Sequence, residues 1–546
     1  MYRFQAVLLF LFLGVASSLS AQTDLDNNEV TVVTNFEARL IDADRVRVQG
    51  VTPPADTSRR RQRYTVTDRP ILVEYPAPSI RPRGVARDKA PKVYNGYAAI
   101  GAGFPGALYG DLSYDLSAVD NAELGIYANH YSFNNSNDVE NQQSSDTEFG
   151  LTGTYLFDQG FALDGEAKYI SQSRYYYGYN FPTEDPAEPT PSFTADQVRQ
   201  RYNIFDIDAN LFNGVRTAAD LDYNAGINLY LMDGNPAVRE TGIDVNLGVT
   251  KWISDEQPLD FKLRADFTSY KDTASQSLNN IYFSPSYTTA IAGRYRLKLG
   301  VNLTSQDDDF DVFPDVSLNA PVIDGLLSAF VGAEGSLQKN NLRSLTDYNP
   351  WVRPRLRIRN SEYVRLYGGV EGTISGIAYR AEASYKTVDN LATYLLDRSR
   401  AIPQFRVAYD DGSIFTLQAS GTMEPMKNLR VNATVAQRFY NLDNQERAWH
   451  LPNFSLTTGA DYKFDKLPLT LGADLFVESG LPYQTATGEA ETLNPLLDLN
   501  LNGEYDFSEN FGAWLKVNNV LGNNRERFVQ YPTIGVNLLV GVSAKF

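Results

Sequence analysis

Gly535-Val-Asn-Leu-Leu-Val-Gly-Val-Ser-Ala-Lys-Phe546 closes the chain, and its alternation sets the reading of everything before it. Val536, Leu538, Val540, Val542, Ala544 and Phe546 form one set; Asn537, Leu539, Gly541, Ser543 and Lys545 form the other. A period of two places these sets on opposite faces of a β-strand. Twelve residues is long for a soluble strand, whose usual length is about 5–6, and suits a membrane-crossing one of about 9–11. A spanning sheet must also close on itself, because unpaired backbone groups are costly in lipid.

The same pattern recurs upstream from about residue 93. In 294–304 the apolar set is Tyr295, Leu297, Leu299, Val301 and Leu303, against Arg294, Arg296, Lys298, Asn302 and Thr304. In 259–268 Leu259, Phe261, Leu263, Ala265 and Phe267 alternate with Asp260, Lys262, Arg264, Asp266 and Thr268. In 497–505 Leu497, Leu499, Leu501 and Tyr505 alternate with Asp498, Asn500, Asn502 and Glu504. Alternation alone does not say which face meets water; strand length and number favour lipid outside and water inside. The predicted fold is all-β: a transmembrane antiparallel barrel of about 22 strands, within 20–24. A final amphipathic strand ending on Phe resembles the recognition strand of outer-membrane barrels, which implies that Val542, Ala544 and Phe546 serve as its assembly signal.

Connections sort into two classes when strands are laid alternately back from the C-terminus. Short ones fall at 158–160, 254–257, 324–325, 465–467 and 508–510, on the expected periplasmic side. Longer ones fall at 134–146, 174–200, 338–347, 440–452, 480–492 and 522–533. Residues 389–401 break the rule, reading as a long connection on the short side. Trp351 and Trp449 fall at outer strand ends, and Trp252 and Trp514 near inner ones, where interfacial aromatic belts are expected.

Composition agrees. The chain has 34 Tyr, 29 Phe and 39 Gly but no Cys, so disulfides and thiolate metal sites are excluded. A net charge of −17 argues against a nucleic-acid partner. His130 and His450 are the only histidines, and neither has a nucleophile or acid at a suggestive spacing. No enzyme and no cofactor are expected. After the N-terminus no window holds the roughly 18 apolar residues of a spanning helix.

Residues 1–21 read as a cleaved export signal: Arg3, an apolar run from Phe4 to Val15, then small residues to Ala21. Residues 22–92 differ in character. Within 57–92 lie ten Lys or Arg against three acids, a local net of +7. This segment is expected to be a basic linker or to occupy the lumen. In the second case Asp206, Asp208, Asp222, Asp244, Asp474, Asp498 and Glu504, on polar faces, are its candidate partners. Residues 93–546 form the expected barrel.

Three passages resemble the TonB-dependent receptors. Glu29-Val-Thr-Val-Val-Thr34 is similar to the short box that the energising protein grips by strand addition. Val517-Asn-Asn-Val-Leu521, with Tyr531-Pro532 and the final strand, resembles the family's C-terminal block. Ile80-Arg-Pro-Arg-Gly84 resembles an element of its plug domain. The resemblance implies an outer-membrane receptor or transporter of unnamed substrate, with TonB as partner through Glu29, Val30, Thr31, Val32, Val33 and Thr34. Residues 22–92 are shorter than a full plug, which implies an abbreviated one. Two other roles remain open: an accessory barrel of an assembly or secretion complex, and a passive anion-preferring channel. Outer-membrane lipid, lipopolysaccharide, the barrel assembly machinery and envelope lipoproteins are the other expected partners.

Several side-chain groups invite a function. Val352-Arg-Pro-Arg-Leu-Arg-Ile-Arg359 reads as a strand with Arg353, Arg355, Arg357 and Arg359 on one face. With Arg294, Arg296, Lys298 and Arg365 it predicts a basic wall inside the lumen, which would select anions or pair with lumenal carboxylates. Tyr175, Tyr176, Tyr177 and Tyr179 open the Pro-rich loop 174–200, where exposed rings would stack on sugars or form an interfacial girdle. Asp307, Asp309 and Asp311 form an acidic outer loop, a weak Ca²⁺ candidate without EF-hand spacing. No other metal site is expected.

Overall fold

The structure, a computed structural model, describes residues 94–546 apart from 120, 182–190, 215, 216, 218, 236, 255, 307, 308 and 524. The export signal, residues 29–34 and the basic segment 57–92 lie outside the described residues.

Twenty-two strands form one closed antiparallel sheet. Each pairs with its neighbours in sequence, from Gly96–Phe104 onward, and the last strand, Asn537–Lys545, pairs back onto the first. The final strand thus leaves no edge. Ile100 lies opposite Val542 and Ala98 opposite Ala544, while Phe546 exchanges two backbone hydrogen bonds with Gly96, at 2.8 and 3.0 Å. The Phe546 ring stacks on Tyr114, centroids 5.9 Å apart.

Side-chain exposure settles which way the alternation points. Val536, Leu538, Val540, Val542 and Phe546 are all exposed on the outer surface, whereas Leu539 and Ser543 are buried inside. Phe261, Leu263 and Phe267 are exposed while Asp266 and Thr268, between and beside them, are 1% exposed. An apolar band of this extent is untenable in water and matches a hydrocarbon surround. The barrel is a membrane barrel rather than a sandwich.

Connections at the end that carries Phe546 are short, the longest being 214–220. Those at the opposite end, the mouth, include 135–142, 176–198, 341–358, 398–403, 443–453, 480–495 and 519–536. Every connection read from the sequence as short or long lies at its expected end, save one. Residues 389–397 are not a connection: they continue the strand Ile377–Asp397. A bulge between Val388 and Leu391, with Asn390 at φ 58°, breaks the alternation there. A bulge slips the side-chain period by one, which in sequence looks like the end of a strand. This strand and its partner Gln404–Met426, of 21 and 23 residues, form the longest hairpin among the described residues.

Two other expectations are corrected. Val352–Ile358 is not a barrel strand but part of the mouth connection 341–358; the strand begins at Arg359. Its alternation has a different cause. Val352, Pro354, Leu356 and Ile358 are buried on a loop core while Arg355 and Arg357 meet solvent. None of the four Trp lies in a lipid-facing belt. Trp514 is 7% exposed and packs inside the seam against Gly101 and Gly541, and Trp252 donates to Asp222 on the inner wall. Trp351 and Trp449 belong to the mouth loops.

Candidate functional site

The inner wall is charged, and many of its charges are paired. Lys298 meets Asp315 at 2.6 Å on the adjacent strand. Arg365 meets Glu334 at 2.8 Å and also pairs with Glu382, which in turn holds Arg380 at 2.8 Å. Lys339 reaches Asp266 at 2.6 Å, with Arg264 on the same carboxylate at 3.2 Å. Attraction between these partly buried charges offsets their desolvation, so each of these cations lies beside a carboxylate.

The predicted basic wall therefore divides. Arg296, Lys298 and Arg365 do face inward, but Asp315, Glu334 and Glu382 stand between them. Arg294 lies at the turn end, beside Asp324 at 3.3 Å. Arg353, Arg355, Arg357 and Arg359 sit at the mouth. Of the carboxylates proposed for the basic segment, Asp206 holds Arg343 at 2.7 Å, Asp244 pairs with Arg264, and Asp222 accepts from Trp252.

At the mouth the long connections merge into one apolar core. Tyr176, Tyr177, Val352, Leu356, Tyr394, Phe405, Leu481, Phe528 and Tyr531 belong to it, with upper wall residues such as Tyr202, Tyr230 and Tyr270. The contacts cross the opening. The Tyr177 ring meets Tyr531 edge-on at 5.1 Å, and its hydroxyl donates to the Pro532 carbonyl at 2.9 Å. Tyr531 stacks on Trp351 at 4.5 Å and donates to the Pro403 carbonyl at 2.5 Å. Connection 176–198 follows the fifth strand and 398–403 the fifteenth, so they stand almost opposite each other in a ring of 22. Tyr531 bridges them. This core is a lid built from the barrel's own loops.

Polar anchors tie the lid to the wall. The short helix Leu342–Tyr348 packs Leu342 and Leu345 into the core. Glu240, fully buried, accepts from the backbone N–H of Leu342 at 2.7 Å and of Arg343 at 3.2 Å, and from the Tyr230 hydroxyl at 3.0 Å. Arg343 then reaches Asp206 on the wall. His450 is 1% exposed and touches both sides of the core. Its Nε2 accepts from the Val529 N–H at 3.3 Å, so its Nδ1 carries the proton donated to the Tyr394 carbonyl at 2.8 Å. Burial pushes the imidazole down to about 4, which keeps it neutral.

The tyrosines read as a ligand loop are consumed by this packing. Tyr176, Tyr177 and Tyr179 are 3–6% exposed, and the Tyr175 carbonyl accepts from Trp351. Tyr179 meets Phe193 edge-on at 4.9 Å, and its hydroxyl is bonded to Asn141 and Glu140. Tyr176, Tyr177 and Tyr179 therefore present little surface to a sugar ring, while Tyr175 is half-buried. Asp309 and Asp311 are not in a loop; they begin the strand Asp309–Ile323, and Asp307 lies outside the described residues. Among the described residues no three carboxylate or histidine groups gather as a metal set. His130 sits on the outer face, bonded to Thr147 and Ser132. From sequence, Phe405, His450, Phe528 and Tyr531 have no lid role, although His450 and Tyr531 stand out for other reasons. The aromatic residues of the loops Trp449–Pro452 and Phe528–Pro532 are the signal that could have found them.

No protein-family model matches the sequence, and no curated protein matches it. Solved structures do match. The iron transporter FrpB from Neisseria meningitidis superposes with a TM-score of 0.64 at 10% identity, over 83% of this chain and 82% of that one. The pyoverdine outer-membrane receptor FpvA from Pseudomonas aeruginosa gives 0.62 at 12% identity, over 84% and 80%. The ferric enterobactin receptor PfeA, also from Pseudomonas aeruginosa, gives 0.61 at 11% identity, over 83% and 80%. The described barrel shares its fold with these three solved proteins.

Proposed function

We propose that this chain is an outer-membrane receptor or transporter of the TonB-dependent kind, exported on residues 1–21 and energised through Glu29–Thr34. The observation that carries it is the closed 22-strand barrel, apolar outside and charged inside, on the architecture of three solved receptors. The substrate would enter by rearrangement of the lid, and residues 22–92 would act as an abbreviated plug. Insertion would use the closing strand with Val542, Ala544 and Phe546, read by the barrel assembly machinery in a lipopolysaccharide-bearing membrane.

Binding of the periplasmic domain of TonB to the full chain in detergent tests this reading. Binding that is lost on deleting residues 29–34, with the barrel still folded, is the expected outcome. Absence of binding to the intact chain would refute energised uptake.

The lid favours a second reading. A mouth closed by a packed core suits an accessory barrel that holds a place in an envelope complex without passing solute. Stoichiometric co-purification with other envelope proteins from native membranes would support it over uptake. The anion channel has less support, since Lys298, Arg365 and Arg380 on the wall are paired with carboxylates and the lid core spans the mouth.

A further inference from the structure

Two segments of the lid carry a charge opposite to that of the chain. Residues 351–359 and 397–406 contain seven arginines and one acid, Asp397, in a protein of net charge −17. Two backbone hydrogen bonds bring the segments together. The Arg353 N–H donates to the Phe405 carbonyl and the Phe405 N–H to the Trp351 carbonyl, both at 2.9 Å. Val352 and Phe405, wholly buried, form the parallel bridge between them.

Burial of one side fixes the display of the other. Val352, Pro354, Leu356 and Ile358 are held in the core, so alternation turns Arg353, Arg355, Arg357 and Arg359 away from it. The backbone is pinned at three points. The Tyr270 hydroxyl donates to the Pro354 carbonyl, Gln276 to the Leu356 carbonyl at 2.9 Å, and the Tyr409 hydroxyl to the Arg357 carbonyl at 2.8 Å. Alternate residues of extended chain are about 6.6 Å apart, so the backbone positions of the four arginines span at most about 20 Å.

Their charge is largely uncompensated. Asp397 takes Arg353 at 3.3 Å and Arg400 at 3.6 Å, and Arg359 donates to Asn390 at 2.7 Å. Arg355, Arg357 and Arg406 are exposed, and among the described residues no carboxylate lies within 4.0 Å of them. A structural role would call for carboxylate partners of the kind found all around the inner wall; these three have none. The guanidinium fork matches carboxylate and phosphate oxygens two at a time. A compact ion would engage one or two of these groups. The row fits a chain that repeats its charge.

We propose that this arginine row is a binding surface for an extended anionic glycan, one that presents a carboxylate or phosphate on successive sugars. The charge could come from an acidic polysaccharide in the medium or from the phosphorylated saccharide of an outer-leaflet lipid. The proposal does not depend on the uptake reading, since binding by purified protein involves no transport step.

The test is binding of the full chain, in detergent, to polygalacturonate, to lipopolysaccharide micelles and to inorganic phosphate. The expected result is salt-sensitive binding to at least one of the two glycans, which identifies the source. Affinity should fall at least tenfold in the Arg355→Ala/Arg357→Ala/Arg406→Ala variant and recover in part when the same positions become Lys. Heat-modifiable migration checks that each variant keeps its barrel; should the Ala variant lose it, single Arg355→Gln and Arg357→Gln variants carry the comparison. No glycan binding by the wild type, or undiminished binding by folded variants, would overturn the proposal. So would displacement of the glycan by inorganic phosphate at equal anion concentration, which would reveal a single-ion site.

Discussion

His450 shows how one residue can set the conditions under which the lid holds. Its ring meets Phe405 edge-on at 5.0 Å and stacks on Phe528 at 5.7 Å, so it contributes packing as well as two hydrogen bonds. Protonation would place a charge in an apolar core and destroy the acceptor for the Val529 N–H. The folded value of about 4 lies below the ordinary 6.5. The stability it contributes is therefore complete above pH 6.5, where both states are neutral. It is lost as pH falls toward 4, because the unfolded chain takes up the proton first. Tryptophan fluorescence of Trp351 and Trp449, with limited proteolysis of the mouth loops, should show the lid loosening over that window. A His450→Gln variant should lack that step; the same profile in both proteins would sink the argument.

The closing seam poses the corresponding question at the level of strands. Gly96–Phe104 is rich in small residues because its neighbours press close on the inner face. A Cβ on Gly103 would stand 1.8 Å from the Leu538 carbonyl oxygen and 3.0 Å from the Leu539 Cα, both backbone atoms of the closing strand. A Cβ on Gly101 would meet the Trp514 ring at 2.4 Å. Backbone cannot step aside as a side chain can, so Gly103→Ala should force the two strands apart. Overpacking of this kind typically costs about 1–3 kcal/mol. Lower heat-modifiability melting than wild type is the expected readout. Gly110→Ala, where a Cβ would meet nothing within 4 Å, should melt like the wild type. Equal melting of Gly103→Ala and Gly110→Ala would show that the seam is looser than described.

At the scale of the whole molecule, the lid decides what the barrel can pass. Its core joins connections from nearly opposite sides, so no single loop swings free without exposing Tyr531, Phe405 and Phe528 together. Burial of each such side chain is worth about 2 kcal/mol or more, which makes opening a concerted step. Planar-bilayer recordings can separate the lid from the N-terminal segment. Removing residues 22–92 alone should leave the barrel non-conducting, because the lid remains. Combining that deletion with Tyr531→Ala and Trp351→Ala should give measurable conductance. A steady open current from the deletion alone would show that the lid is not a seal.

Strand alternation was legible because a membrane barrel repeats one local rule along its length, apolar out and polar in. Nothing distant is needed to read Leu538, Val540 and Val542 against Leu539, Gly541 and Ser543. The two-sided sorting of turns and loops follows from the same local rule. What sequence alone determined, then, was the barrel, its approximate strand number and the ends its connections occupy. The lid could not be read that way. Val352–Arg359 alternates just as a wall strand does, since an extended segment with one buried face has the same period whatever it packs on. Tyr176, Tyr177 and Tyr179 look like exposed loop tyrosines until Trp351 and Tyr531, hundreds of residues away, are brought against them. The pairing of Arg365 with Glu334 and Glu382 likewise depends on strand register. Only the tertiary structure decided that an apolar core spans the mouth, that carboxylates stand among the wall's cations, and that the arginines stand on the lid. Each depends on contacts between residues distant in the chain, which local periodicity does not encode.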